Sequence, residues 1–99
     1  MAGKGRKWST PGLLVQAIAG APDQPLRLGF TASRKVGGAV ERNRAKRRLR
    51  ALAAEAAPAA RAGVDLVLVA RAATVRRPFA LLRRDLEQAL TRLDLWGRR

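Results

Sequence analysis

Apolar positions along the chain fall into short patterns, each with the period of one kind of element. Residues 13–19 (LLVQAIA) are an apolar run of strand length, followed by the turn-forming stretch GAPDQP at 20–25. Residues 26–33 (LRLGFTAS) alternate: Leu26, Leu28, Phe30 and Ala32 share one face of a strand, and Arg27, Gly29, Thr31 and Ser33 share the other. Gly37 and Gly38 interrupt the extended run. From 39 to 56 the composition turns to Ala, Arg and Leu, all good helix formers, with Glu41 in the first turn, where the helix dipole favours an anion. Pro58 disfavours helical backbone at Ala57 and marks the end. VDLVLVA at 64–70 is nearly continuous apolar sequence, the pattern of a strand covered on both faces. Pro78 suits the first position of a second helix, whose stripe is Phe79, Leu82, Leu86, Ala89, Leu90 and Leu93. The order strand, strand, helix, strand, helix predicts one small α/β domain over 12–95. A loose basic arm (1–11) precedes it and a basic tail (96–99) follows.

The helix at 39–56 is unusual. At 100° per residue, Ala45, Leu49, Leu52 and Ala56 fall on one narrow stripe, which faces the core. Asn43, Lys46, Arg47 and Arg50 fall on roughly the opposite face. Arg44 and Arg48 flank one side of the stripe, and Arg42 lies close to it in the first turn, where it can project past the core's edge. A solvated helix face usually mixes signs at i,i+4 spacing. Here one glutamate stands against six Arg and Lys from 42 to 50, with Arg34 and Lys35 just ahead. Charges so dense weaken an isolated helix, so the pattern points to a nucleic-acid surface. Arg outnumbers Lys, which suits bidentate phosphate contacts, and Asn43 can add a hydrogen bond to a base edge or a 2′-hydroxyl.

The whole chain shares this bias. Lys and Arg number 21 against 7 Asp and Glu, a net charge of +14, and such a chain repels itself unless a polyanion compensates. Nucleic acid is the first candidate. An anionic membrane is the second, but the sequence has no long apolar segment and no signal-peptide pattern, so a cytoplasmic protein without a membrane partner is expected. Cys, His and Tyr are absent. Disulfides, thiolate metal sites and Ser-His or Cys-His catalysis are thereby excluded. The seven carboxylates are scattered, and Asp85 and Glu87 point to nearly opposite sides of their helix, so no metal-binding cluster and no protein-borne catalytic residue is expected.

LGFTASRKVGGAVERNRAKRRLR (28–50) closely resembles the signature of the bacterial ribonuclease P protein subunit. The matching residues are Ser33-Arg34-Lys35-Val36-Gly37 in the turn, then Arg42-Asn43-Arg44, Lys46-Arg47 and Arg50 on the helix. VDLVLVAR and PFALLRRDLEQAL follow in the family's order, and the match spans about 8–95. The resemblance implies an α+β two-layer sandwich: a small mixed sheet packed with two helices, and the left-handed βαβ crossover of the ribonuclease P protein and ribosomal S5 domain 2-like fold. It implies a subunit that binds the catalytic RNA and the 5′ leader of precursor tRNA. Catalysis then lies in the RNA with its Mg²⁺, and the protein itself holds no metal or small-molecule cofactor. RNA contacts are expected from Arg34, Lys35, Arg42, Asn43, Arg44, Lys46, Arg47, Arg48 and Arg50. Arg42 and Arg44, beside the stripe, suit the catalytic RNA, and Asn43, Lys46, Arg47 and Arg50 the leader.

The chain departs from the family in two places. It enters its first strand where the family usually has a leading aromatic helix, so either the native start lies upstream or this member lacks that wall of the leader cleft. Gly38 stands where Asn or Lys is frequent, which loosens the turn. Among the aromatics, Trp8 is a candidate for base stacking and equally a plug over the sheet edge. Phe30 has core parity, with base stacking the lesser alternative, Phe79 begins the apolar stripe of the last helix, and Trp96 carries no signal. The rival reading is an rRNA-binding structural ribosomal protein of similar size and charge. The long ungapped signature over 33–50 speaks against it.

Overall fold

The computed structural model describes residues 5–20, 23–57 and 63–95. Four strands, β1 (Arg6–Ser9), β2 (Leu13–Ala19), β3 (Arg27–Thr31) and β4 (Val64–Ala70), form one sheet in the order β1-β2-β4-β3. β1–β2 and β2–β4 are antiparallel, and β3–β4 is parallel. The parallel pair is joined through helix α1 (Ala39–Ala56), and helix α2 (Phe79–Arg92) follows β4. Short 3-10 turns at Arg34–Val36 and Ala72–Val75 precede the two helices.

Both helices pack on one face of the sheet. That face presents Leu13, Val15 and Ala17 from β2 and Leu66, Leu68 and Ala70 from β4, all buried. The period-2 alternation then puts Leu14, Gln16 and Ile18 beside Val69, Val67 and Asp65 on the opposite face, where all six are half-buried. The strand at 64–70 is therefore covered by helices on one face only, not on both as its apolar run suggests. Apolar composition does not distinguish a doubly covered strand from one whose second face carries valines.

α1 occupies the span its sequence predicts. Glu41 closes its first turn, its Oε1 accepting the Gly38 N–H at 3.1 Å. Ala45, Leu49, Leu52 and Ala53 are buried against the sheet and Ala56 packs beside them. Full burial of each leucine contributes roughly 1.5–3 kcal/mol. Pro58 lies outside the described residues. α2 starts one residue later than expected, with Pro78 at its N-cap, and ends in a Schellman arrangement: Leu95 N–H bonds Leu90 O at 2.7 Å and Asp94 N–H bonds Thr91 O at 3.1 Å, with Asp94 at φ 60°. Its apolar stripe contains one acid, Asp85, which is buried.

Residues 6–9 depart from the loose arm expected of 1–11. They form the edge strand β1, paired with β2 from Arg6 opposite Ala17 to Ser9 opposite Leu14. The turn between them is tight: Thr10 N–H bonds Leu13 O at 2.8 Å, and Thr10 Oγ1 accepts the Leu13 N–H at 3.2 Å. A cationic stretch without alternation gives no local strand signal; pairing with β2 supplies the order. Residues 1–4 and 96–99, including Trp96, lie outside the described residues.

Gly12 sits in this turn where α2 approaches closely. A Cβ there would overlap Asp85 Oδ2 and come within 2.5 Å of Leu82 Cδ2 and 2.8 Å of Arg77 Cδ. Leu82 is fully buried and Asp85 is held in an ion pair, so neither can yield. Gly12→Ala should therefore destabilise the fold by about 1–3 kcal/mol, as overpacking does. Thermal unfolding should show a Tm lower by roughly 4–8 °C per kcal/mol, and an unchanged Tm would contradict this packing.

Candidate nucleic-acid interface

The fold sorts its cations by partner. Three arginines lie in ion pairs: Arg27 with Asp65 at 2.9 Å, Arg77 with Asp85 at 2.7 Å and Arg83 with Glu55 at 2.7 Å. Four others donate to backbone carbonyls. Arg6 reaches Leu93 O, Arg42 reaches Gly37 O, and Arg71 reaches Thr10 O as well as the Ser9 hydroxyl. Arg48 makes the largest set, with Nη1 donating to Thr74 O at 2.8 Å and Val75 O at 2.9 Å, and Nη2 to Arg77 O at 2.6 Å. Among the described residues, Arg34, Lys35, Arg44, Lys46, Arg47, Arg50 and Arg76 have no acid within ion-pair distance. All seven sit on α1 or on the two turns packed beside it. Lys7, Arg84 and Arg92 are likewise without an acid, on other elements.

α1 presents two flanks. One faces β3: the Arg50 guanidinium lies 5.7 Å from the centre of the Phe30 ring, and Lys46, four residues earlier, shares that side. The other faces the 72–75 turn and carries Arg44 and Arg48. Arg47 stands on the crest, exposed. Arg44, Arg47, Arg48, Val75 and Arg76 line an open groove on this second flank. Ahead of the helix, Arg34 and Lys35 are exposed on a turn whose backbone is shaped by two residues. Ser33 Oγ accepts the Lys35 N–H at 3.2 Å, and Gly37 adopts φ +144°, where a Cβ would meet Glu41 Cβ at 2.8 Å.

The structure thus brings together Arg34, Lys35, Asn43, Arg44, Lys46, Arg47 and Arg50 as a surface. Two of the expected contacts are committed elsewhere. Arg48 is half-buried and bonds the 72–75 turn; Arg42 is half-buried and bonds Gly37 O at 3.1 Å. Arg42 and Arg44, expected to serve one partner, lie on opposite flanks of α1, since two residues span about 200° of helix. Trp8 takes the plug position: it packs against the core on the helix side of the sheet, opposite Val15, with the Arg92 guanidinium 5.5 Å from its ring centre. A stacking base would have to displace Arg92. Phe79 is only half-buried, with Arg48 at 5.9 Å and Arg83 at 5.3 Å from its ring centre. Arg76 was not anticipated. Its only signal is the Arg76-Arg77 pair before Pro78, and that pair does not say which arginine faces outward.

The hydrogen bond from Arg83 lowers the Glu55 carboxyl pKa below its ordinary value, and Arg27 does the same for Asp65. Both carboxylates are easier to ionise folded than unfolded. Their contributions are present above the ordinary carboxylate range and fade as pH falls through the lowered values. Both pairs are solvent-exposed, so salt screens them. Among the described residues no three potential ligand side chains gather to hold a metal ion, and no helix is long and apolar enough to cross a membrane. What the arrangement can do is bind an extended polyanion, through forked guanidinium donors on a rigid helix.

Known proteins share this sequence and this architecture. The ribonuclease P protein of Paramagnetospirillum magneticum is 50% identical over 93 residues, covering 89% of this chain and 70% of its own. That of Gluconacetobacter diazotrophicus is 44% identical over 98 residues, covering 98% and 84%. The RNase P protein from Thermotoga maritima superposes with a TM-score of 0.76 at 26% identity, over 90% of this chain and 84% of that one. A mutant of the Staphylococcus aureus RNase P protein gives 0.78 at 25% identity, over 93% and 77%. These likenesses support the ribonuclease P reading over the ribosomal one. A family profile described as Ribonuclease P matches residues 1–94, and with the basic face of α1 standing on this sheet, the chain belongs to the ribonuclease P protein family.

Proposed function

We propose that this protein binds the catalytic RNA of ribonuclease P together with the 5′ leader of precursor tRNA, in the cytoplasm, and that cleavage of the leader is carried out by the RNA with its Mg²⁺ ions. One observation carries the reading: among the described residues, seven of the ten cations with neither an acid nor a carbonyl partner collect on α1 and its two neighbouring turns, while ion pairs and carbonyls absorb the other seven. Such a surface binds phosphates through counterion release, which is sequence-independent and strongly salt-dependent. The chemistry is assigned to the RNA because the chain has no His, Cys or Tyr, and four of its seven acids serve as ion-pair partners or a helix cap. The β3 flank, with Asn43, Lys46 and Arg50, is assigned to the leader. The flank with Arg44, and with it Arg47, expected on the leader side but lining the groove beside Arg44, is assigned to the catalytic RNA, which must stay bound while substrates exchange.

Reconstitution with the catalytic RNA at low Mg²⁺ tests the core of this. The protein alone should leave precursor tRNA intact, and adding it to the RNA should raise the cleavage rate. Metal-dependent cleavage by RNA-free protein would refute the assignment. Lys46→Ala and Arg50→Ala should weaken precursor tRNA more than mature tRNA and flatten the salt dependence by about one unit of slope per charge. Equal losses for both tRNAs would move this flank to the RNA subunit.

Folding and binding arginines should separate cleanly. Arg48→Ala leaves three carbonyls without their donor, and a charged hydrogen bond contributes about 1.5–3 kcal/mol. Its Tm should drop on the order of ten degrees, whereas Lys46→Ala and Arg50→Ala should leave Tm within a few degrees of the parent.

A further inference from the structure

We infer that Arg76 completes, with Arg44 and Arg47, a groove that holds the phosphate backbone of the catalytic RNA, and that Arg48 positions it. The inference rests on the RNA-binding reading of α1 and adds a residue outside the basic signature.

Arg76 and Arg77 are adjacent and have opposite fates. Arg77 turns inward, its Nε 2.7 Å and its Nη2 3.3 Å from the two carboxylate oxygens of buried Asp85. Arg76 is exposed and has no acid within ion-pair distance among the described residues. The backbone on both sides of Arg76 is held by the Arg48 fork, through Val75 O at 2.9 Å and Arg77 O at 2.6 Å. The turn is closed by its own bonds as well, Thr74 N–H to Arg71 O at 2.9 Å and Arg76 N–H to Ala73 O at 3.2 Å. Thr74 Oγ1 also donates to Gly12 O. Only the Arg76 side chain remains to be ordered when an anion binds, and that keeps the entropic cost low.

Across the groove stand Arg44 and Arg47, three residues apart on one helix surface, with Arg48 and Val75 between the walls. No acid lines the groove. Guanidinium groups gathered this way repel one another until an anion lies between them. The groove is open along the surface, so it fits a phosphodiester chain better than an enclosed small molecule. It occupies the flank of α1 away from β3, and two RNAs bound at once need separate surfaces. The catalytic RNA is therefore its occupant.

The test uses the full chain, the catalytic RNA as the probe, and binding across a salt series. Arg76→Ala should weaken binding, lower the slope of log K on log salt by about one, and leave Tm unchanged. The Arg44→Ala, Arg76→Ala double variant should lower the slope by about two. Arg84→Ala, which removes a charge from the exposed face of α2, serves as the matched control and should leave slope and affinity at parental values. A parental slope for Arg76→Ala would overturn the groove, as would a loss equal to that of Arg84→Ala or one confined to precursor over mature tRNA. Should Arg44→Ala and Arg47→Ala also bind like the parent, the RNA-binding reading of α1 falls with it; should they lose affinity while Arg76→Ala does not, only the groove falls. Arg48→Lys keeps the charge but not the fork, and in that background Arg76→Ala should change the slope by clearly less than one. An undiminished effect would overturn the positioning role.

Discussion

The Arg48 guanidinium donates to three carbonyls of the 72–77 segment, Thr74, Val75 and Arg77, and through them ties α1 to the start of α2. From there the contacts run inward. Thr74 bonds Gly12 in the turn between β1 and β2, Gly12 lies against Leu82 and Asp85 of α2, and Asp85 holds Arg77. Without the fork, carbonyls of a non-helical segment would lie beside apolar residues with no donor. The arrangement explains how a helix so rich in arginine packs tightly: one arginine of its basic run serves as structural cement, which sets where the others face.

The same logic governs charge. A chain of +14 with seven acids cannot neutralise itself. Four of them are placed where they contribute to the fold, Asp85 under α2, Glu55 between the helices, Asp65 beside β3 and Glu41 at the start of α1. Carbonyl oxygens accept from four further arginines at no cost in net charge. Among the described residues, most of the cations left over lie on α1 and the turns beside it. Repulsion among those groups opposes folding of the free protein and is relieved when RNA binds, so binding and folding reinforce one another.

Glycine makes two close approaches possible. Gly37 at φ +144° turns the chain from β3 into α1 and leaves Arg34 and Lys35 on the surface just ahead of the helix. Gly12 lets the β1–β2 turn lie against α2. One shapes the entry to the basic surface, the other the core beneath its far flank.

Much was legible in the sequence because it is local. The span of α1, its stripe of Ala45, Leu49 and Leu52, the strands at 13–19 and 64–70, and the excess of cations from 34 to 50 all follow from period, propensity and charge, which one stretch of chain contains. The tertiary structure decided what depends on distant partners. β1 became a strand because β2 offers it a ladder, and Trp8 was drawn under α2 with Arg92 over its ring. Six of the basic run look alike in sequence, yet Arg48 and Arg42 bond carbonyls while Arg44 and Arg47 remain open. Arg76 joins the surface and Arg77 does not, since only Arg77 faces the buried Asp85. A sequence states how many guanidinium groups there are and on which helical phase. Which of them meet an acceptor depends on segments that approach across the fold, and hydrogen bonds and ion pairs form only at contact distance.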